Sequence, residues 1–190
     1  MRIGLFFGSF NPVHIGHLII ANHILNEAKV DKIWLIVSPV NPFKVNTDVL
    51  DENVRLSFVE MALGTDERII ASNVEFQLPK PSFTINTLLF LKENYSEHDF
   101  SIIMGSDNFR SFDKWKNYQE ISATYKILVY LRSGFEIENN FNADMEVLNA
   151  PILDISASEI RKLIEERKSI RYLVPEMVRQ EIEKNGYYKK

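Results

Sequence analysis

An apolar run, Ile3-Gly4-Leu5-Phe6-Phe7, gives way to Gly8-Ser9-Phe10-Asn11-Pro12-Val13-His14-Ile15-Gly16-His17, and a second apolar stretch, Leu18 to Leu25, follows at once. The first run reads as a buried strand and the last stretch as a helix. A glycine-containing turn therefore joins the carboxyl end of a strand to the start of a helix. In parallel α/β sheets this junction is where phosphates bind, because backbone N–H groups and the positive end of the helix dipole point at the ligand. His14 and His17 stand about one helical turn apart, so both can face that ligand. Each residue type in the turn also favours turns in its own right. Their combination at this junction points to nucleotide chemistry.

The rest of the chain repeats the alternation. Lys32–Val37 reads as a second buried strand, followed by a polar loop from Ser38 to Asp48 that carries Lys44. Asp51–Leu63 reads as an amphipathic helix with Val54, Phe58, Met61 and Ala62 on one face. Arg68–Ala71 and Val74–Phe76 are short strand candidates, and Thr84–Tyr95 a helix. Phe100–Met104 and Lys126–Leu131 read as strands, and helices close the chain after Ser156 and Pro175. The region from Glu136 to Asn149 suggests a loop and one short strand. Strands alternating with helices imply an α/β fold with a mostly parallel sheet and helices on both faces. Gly8, Ser38, Gly105 and Arg132 each stand at a strand's carboxyl end, where open α/β sheets bind ligands.

Composition narrows the field. A chain of 190 residues is one domain by length, 1–190, with a continuous core. No apolar run approaches a membrane span, and the start leads straight into a strand, so a cytoplasmic protein without a leader is expected. Cysteine is absent, which excludes disulfides and thiolate metal sites. The net charge of −4 does not suggest a nucleic-acid surface. An anionic ligand must be met by a local positive site.

His14-Ile15-Gly16-His17 resembles, letter for letter, the (H/T)xGH signature of a nucleotidyltransferase superfamily. The surrounding Gly8–His14 segment is most similar to the bacterial nicotinate-nucleotide adenylyltransferases. Pro42-Phe43-Lys44, Pro81–Leu88, Gly105–Asn108 and Ile155–Arg161 follow in the order of that family. The terminal stretch from Tyr172 to Tyr188 also looks like its last helix. Three positions depart from the common pattern: Phe43 where His is frequent, Ser158 where Thr is usual, and Asn11 where Asp is common.

The resemblance implies a Rossmann-like fold and adenylyl transfer from ATP to nicotinate mononucleotide, with Mg2+ accompanying ATP. It implies His14, His17, Lys44 and Arg161 as catalytic groups. Gly8, Ser9, Phe10, Gly105, Asp107, Ile155, Ser156 and Ser158 would join His14, His17 and Arg161 around ATP. Asn11, Lys44, Thr84, Trp115 and Arg132 would contact the acceptor. The C-terminal helices, about 156–186, would complete the ATP site. No protein-held metal, nucleic acid or membrane partner is expected, and a homo-oligomer is allowed.

The residue types suit that chemistry. The attacking phosphate is already an anion, so catalysis needs positioning and charge stabilisation more than a base. Lys44 offers a mobile cation and Arg161 a fork of donors. Ser156-Ala157-Ser158-Glu159 is a capping-box pattern, which starts a helix and can also hold an anion. Trp115 is either a packing residue or a platform for the pyridine ring. Asp107 and Thr84 are either helix caps or ligand contacts. Backbone N–H groups near Thr84 and Trp115 are expected to face a ring carboxylate, favouring the acid over the amide. The alternatives are another branch of the superfamily, such as phosphopantetheine adenylyltransferase, and a nucleotide-sensing module without catalysis.

Overall fold

The computed structural model describes residues 1–27, 30–40 and 49–189. Its core is a six-stranded sheet in the order β3-β2-β1-β4-β5-β6. The strands are β1 (Arg2–Gly8), β2 (Lys32–Val37), β3 (Ile69–Ser72), β4 (Asp99–Gly105), β5 (Lys126–Tyr130) and β6 (Met145–Leu148). Every neighbouring pair is parallel. After β1 the chain builds outward through β2 and β3, then returns to add β4 on the other side of β1. This reversal leaves a crevice above the carboxyl ends of β1 and β4, the switch point of an open α/β sheet.

Seven helices are assigned among the described residues: α1 (Ile15–Glu27), α2 (Glu52–Leu63), α3 (Thr84–Asn94), α4 (Ser106–Arg110), α5 (Tyr118–Thr124), α6 (Ala157–Glu165) and α7 (Glu176–Asn185). They cover both faces of the sheet. Side chains alternate along each strand, so Ile127 and Val129 of β5 join one core while Leu128 and Tyr130 join the other. One core takes Ile24 of α1, Phe58 of α2, Ile160 of α6 and Val178 of α7. The other takes Leu88 of α3, Phe109 of α4 and Ile121 of α5. Strands buried on both faces explain why β1, β2 and β4 read as nearly continuous apolar runs.

Two expectations change, and one is made specific. Val74–Phe76 is not a strand but part of a 3-10 turn, Val74–Gln77. It closes through Phe76 N–H to Asn73 O at 2.9 Å and Leu78 N–H to Glu75 O at 3.2 Å, satisfying its backbone locally beside the edge strand β3. On α2 the apolar stripe runs through Arg55, Phe58 and Val59, and Met61 is exposed. A charged residue thus holds the stripe position one turn before Val59. In the 136–149 region, the short strand is β6, paired with β5 from Ile127↔Met145 to Tyr130↔Leu148.

Candidate active site

A cavity of about 660 Å³ opens above the β1–β4 switch point. Gly8, Ser9, Phe10, Asn11, His14 and His17 contribute from β1, the turn and α1. Gly105, Asp107 and Arg132 come from the ends of β4 and β5, Ser156, Ser158 and Arg161 from α6 and its cap, and Thr84 and Trp115 from the far wall. Ile155 does not line it; its side chain packs on the core beneath. Lys44 lies outside the described residues, as do Pro42 and Phe43.

At one end the two histidines stack, ring centroids 3.7 Å apart. The His14 backbone N–H donates to His17 Nδ1 at 3.2 Å, which leaves the proton of a neutral His17 ring on Nε2. His14 is buried, and burial, aided by Arg132, pushes its pKa down to about 4. Both histidines are held by close packing: a Cβ on Gly16 would lie 3.0 Å from His14 Nδ1 and 3.7 Å from Ile155 Cβ. Glycine therefore lets the start of α1 meet the segment entering α6. The α1 N-terminus is not a bare set of donors, since Ile15 N–H bonds to Leu173 O at 2.9 Å and His17 N–H to His14 O at 3.0 Å.

The α6 start behaves as its pattern implies. Ser156 caps it, accepting from Glu159 N–H at 3.2 Å. Arg161, one turn on, donates to Asn11 O at 2.8 Å and to Ser158 Oγ at 3.2 Å. Asn11 itself braces the wall: its Oδ1 accepts from Tyr188 Oη at 2.8 Å and Leu50 N–H at 3.3 Å. That side-chain oxygen is committed inside the protein. Asp107 is not a side-chain cap for α4, whose N-cap is Gly105. Its Oδ2 stands 4.0 Å from Arg132 Nε, and its Oδ1 is buried with no hydrogen-bond partner among the described residues. A Cβ on Gly105 would run into that Oδ1.

The opposite end is aromatic and hydroxyl-rich. Trp115 is half-buried and meets Phe112 edge to face at 5.5 Å. Lys116 Nζ sits over the Phe83 ring at 4.8 Å. Thr84 is the first residue of α3, with Phe83 at the cap position and no side-chain cap bond. The Trp115 backbone N–H is spent on Phe112 O at 3.0 Å, so it is not a donor for a ligand. The turn that carries the indole consumes it.

Four residues here escaped the sequence reading. Arg55, with 1% of its surface exposed, donates to Ser9 O at 2.5 Å, Ser38 O at 2.8 Å, Leu50 O at 2.8 Å and Pro39 O at 3.1 Å. It ties the turn after β1 to the end of β2 and to the segment before α2. Its signal was a charge at a stripe position of an amphipathic helix. Glu75 is equally buried and accepts from Thr87 Oγ1 at 2.8 Å; reading its segment as a strand hid it. Tyr130, which lines the cavity with its hydroxyl pushed up to about 12 by burial, and Tyr188, which braces Asn11, left no local pattern. Among the described residues, no group of three or more His, Asp or Glu side chains could hold a metal ion. No helix among them is long and apolar enough to cross a membrane.

Comparison with known proteins agrees with this geometry. Residues 5–163 match the cytidylyltransferase-like family. A probable nicotinate-nucleotide adenylyltransferase of Flavobacterium johnsoniae is 45% identical over 193 residues, covering 100% of both chains. One of Bacteroides thetaiotaomicron is 41% identical, covering 92% of this chain and 87% of its own. The solved structure of a Plasmodium falciparum nicotinic acid mononucleotide adenylyltransferase, complexed with NaAD, superposes with a TM-score of 0.85 at 19% identity, covering 98% of this chain and 97% of that one.

Proposed function

Since the chain belongs to the cytidylyltransferase-like family, and within it to the nicotinate-nucleotide adenylyltransferases, we propose that the cavity transfers an adenylyl group from ATP to nicotinate mononucleotide. The products are deamido-NAD and pyrophosphate. The observation that carries this reading is the meeting of His14 and His17 with Ser156, Ser158 and Arg161 across one cavity at the sheet's switch point. The two histidines, the capped start of α6 and Arg161 then face one polyphosphate.

In the reaction, a phosphate oxygen of the mononucleotide attacks the α-phosphorus of ATP. The new P–O bond forms as the α–β bridge bond breaks and pyrophosphate leaves. The incoming oxygen needs no base. His17, with its Nε2 proton, suits donation to an α-phosphoryl oxygen. His14, neutral in the ligand-free protein, gains a reason to protonate once phosphates surround it, because a nearby anion favours the charged ring. Arg161 exchanges its bond to Asn11 O for phosphate oxygens, and Lys44 adds a second cation. The α6 segment completes the ATP site, and the chain works as one domain. Trp115 and Thr84 bound the acceptor's ring. Magnesium would enter with ATP as part of that substrate and neutralise charge on its phosphates.

The test is pyrophosphate release from ATP with a panel of phosphate acceptors, with product identified by mass. Deamido-NAD formation supports the reading. Turnover only with a pantetheine phosphate, or no turnover with ATP binding intact, overturns it.

A further inference from the structure

Outside the phosphate end, the molecule's most unusual polar group is Glu75. Its carboxyl is buried at the cavity's far wall, on the 3-10 turn after β3. One oxygen, Oε1, takes the Thr87 hydroxyl at 2.8 Å. The other, Oε2, is buried with no hydrogen-bond partner among the described residues. The Ser82 hydroxyl has the same status. It is 9% exposed, lines the same cavity, and immediately precedes Phe83 and Thr84 at the start of α3. Its backbone is fixed by Ser82 N–H to Val40 O at 3.0 Å. An acid and a hydroxyl, both unfilled, thus face the end of the cavity assigned to the acceptor's ring.

We propose that Glu75 and Ser82 act together as a polarity element that selects an acceptor bearing a ring carboxylate over one bearing an amide. Glu75 is a positioning residue that acts through Ser82; this rests on the function proposed above. When Glu75 is neutral, its O–H donates to Ser82 Oγ, and the serine proton turns into the cavity. A carboxylate can only accept, so it matches that donor. When Glu75 is ionised, Oε2 accepts the serine proton, and Ser82 shows the cavity a lone pair. That face repels a carboxylate and suits an amide N–H. Thr87 donates to Oε1 in either state.

Burial pushes the Glu75 carboxyl up, and the Thr87, Ser38 and Ser82 hydroxyls pull the other way. The Ser38 and Ser82 hydroxyls thus stand near enough to influence the carboxyl, while Oε2 has no hydrogen-bond partner among the described residues. No charged side chain among the described residues contributes to the shift. Charged groups on the surrounding elements are Arg55, bonded to Ser38 O, and Lys116, over Phe83; Lys114 lines the same cavity. His14, His17, Asp107, Arg132 and Arg161 serve the rest of the cavity. Titration of groups that handle phosphate acts on both acceptors alike and cancels in their ratio.

The experiment measures kcat/KM for nicotinate mononucleotide and nicotinamide mononucleotide from mildly acidic to alkaline pH, with calorimetric binding of each nucleotide in parallel. In the wild type the acid-to-amide ratio falls about tenfold or more as pH rises, the size expected for mispairing one hydrogen-bonding group. Glu75→Gln, whose amide N–H mimics the neutral acid, keeps a high and pH-independent ratio. Ser82→Ala gives a low, flat ratio. A flat ratio in the wild type, or an unaltered pH dependence in Ser82→Ala, overturns the assignment. Should Glu75→Gln fail to fold, Ser82→Ala still decides. Selective, pH-dependent binding without pyrophosphate release would fault the catalytic reading and leave this one standing. If neither nucleotide binds, both fall.

Discussion

The two ends of the cavity are built on opposite principles. At the proposed phosphate end, Arg161 is spent on the Asn11 carbonyl, while Arg55, behind both ends, holds four backbone carbonyls. His14 is held neutral chiefly by burial. At the far end the buried group is an acid, Glu75, surrounded by hydroxyls. The first end is a rigid frame that awaits negative charge. The second is a hydrogen-bonding surface whose polarity depends on one proton. Charge recognition needs fixed donors in place before the ligand arrives, whereas telling an acid from an amide needs only correct donor and acceptor matching.

The largest blow to this contrast should come from Arg55→Met. It leaves buried carbonyls of three segments without donors, and a loss of about 3–5 kcal/mol is expected. Denaturant unfolding measures it; a change below about 1 kcal/mol would mean that the frame does not depend on this guanidinium. Next, His17→Ala should lower kcat by ~10² to 10³ with the fold intact, the usual cost of one transition-state donor. Wild-type turnover in the folded variant would remove the ring from the mechanism.

His14 makes the frame pH-sensitive. Its pKa falls from 6.5 to about 4 on folding, so the unfolded chain binds the proton more readily. The stability it contributes is full above pH 6.5 and is lost as pH falls through about 4, by at most about 3 kcal/mol. Glu75 runs the other way, since its raised pKa gives stability that is lost as pH rises. Unfolding curves of His14→Asn against pH should lack the acid-side decline between those limits. An unchanged decline would place its origin elsewhere.

Arg161→Lys keeps the charge but loses the fork, and about a tenfold fall in kcat/KM for ATP is expected. Equal performance would reduce the contact to long-range electrostatics. The smallest effect sharpens the far end. Trp115→Ala should weaken both acceptors similarly and leave their ratio within about twofold, because a ring face does not read the substituent at the ring edge. Collapse of the ratio would show that the Ser82–Thr84 wall depends on the indole.

Much of the site was readable because its motifs sit at strand ends. Gly8, Gly105 and Arg132 converge wherever parallel strands share a sheet, and Ser156 caps α6 through the local pattern that suggested it. Residues that act by long-range contact left weaker signals. Tyr188 reaches Asn11 across 177 positions, and Arg161 reaches it across 150. The cap role weighed for Asp107 failed because Gly105 takes the cap position.

The sequence by itself determined the α/β alternation, the parallel sheet, the glycine-containing turn between β1 and α1, and the family. Periodicity and local caps are short-range properties, carried by neighbouring residues. The tertiary structure decided which donors remain available and which buried groups stay neutral. It spent Trp115 N–H, Ile15 N–H and Asn11 Oδ1 on the protein itself. It put Arg55 among carbonyls and Glu75 among hydroxyls. Hydrogen-bond satisfaction and desolvation depend on every element packed around a group, and no window of sequence contains them.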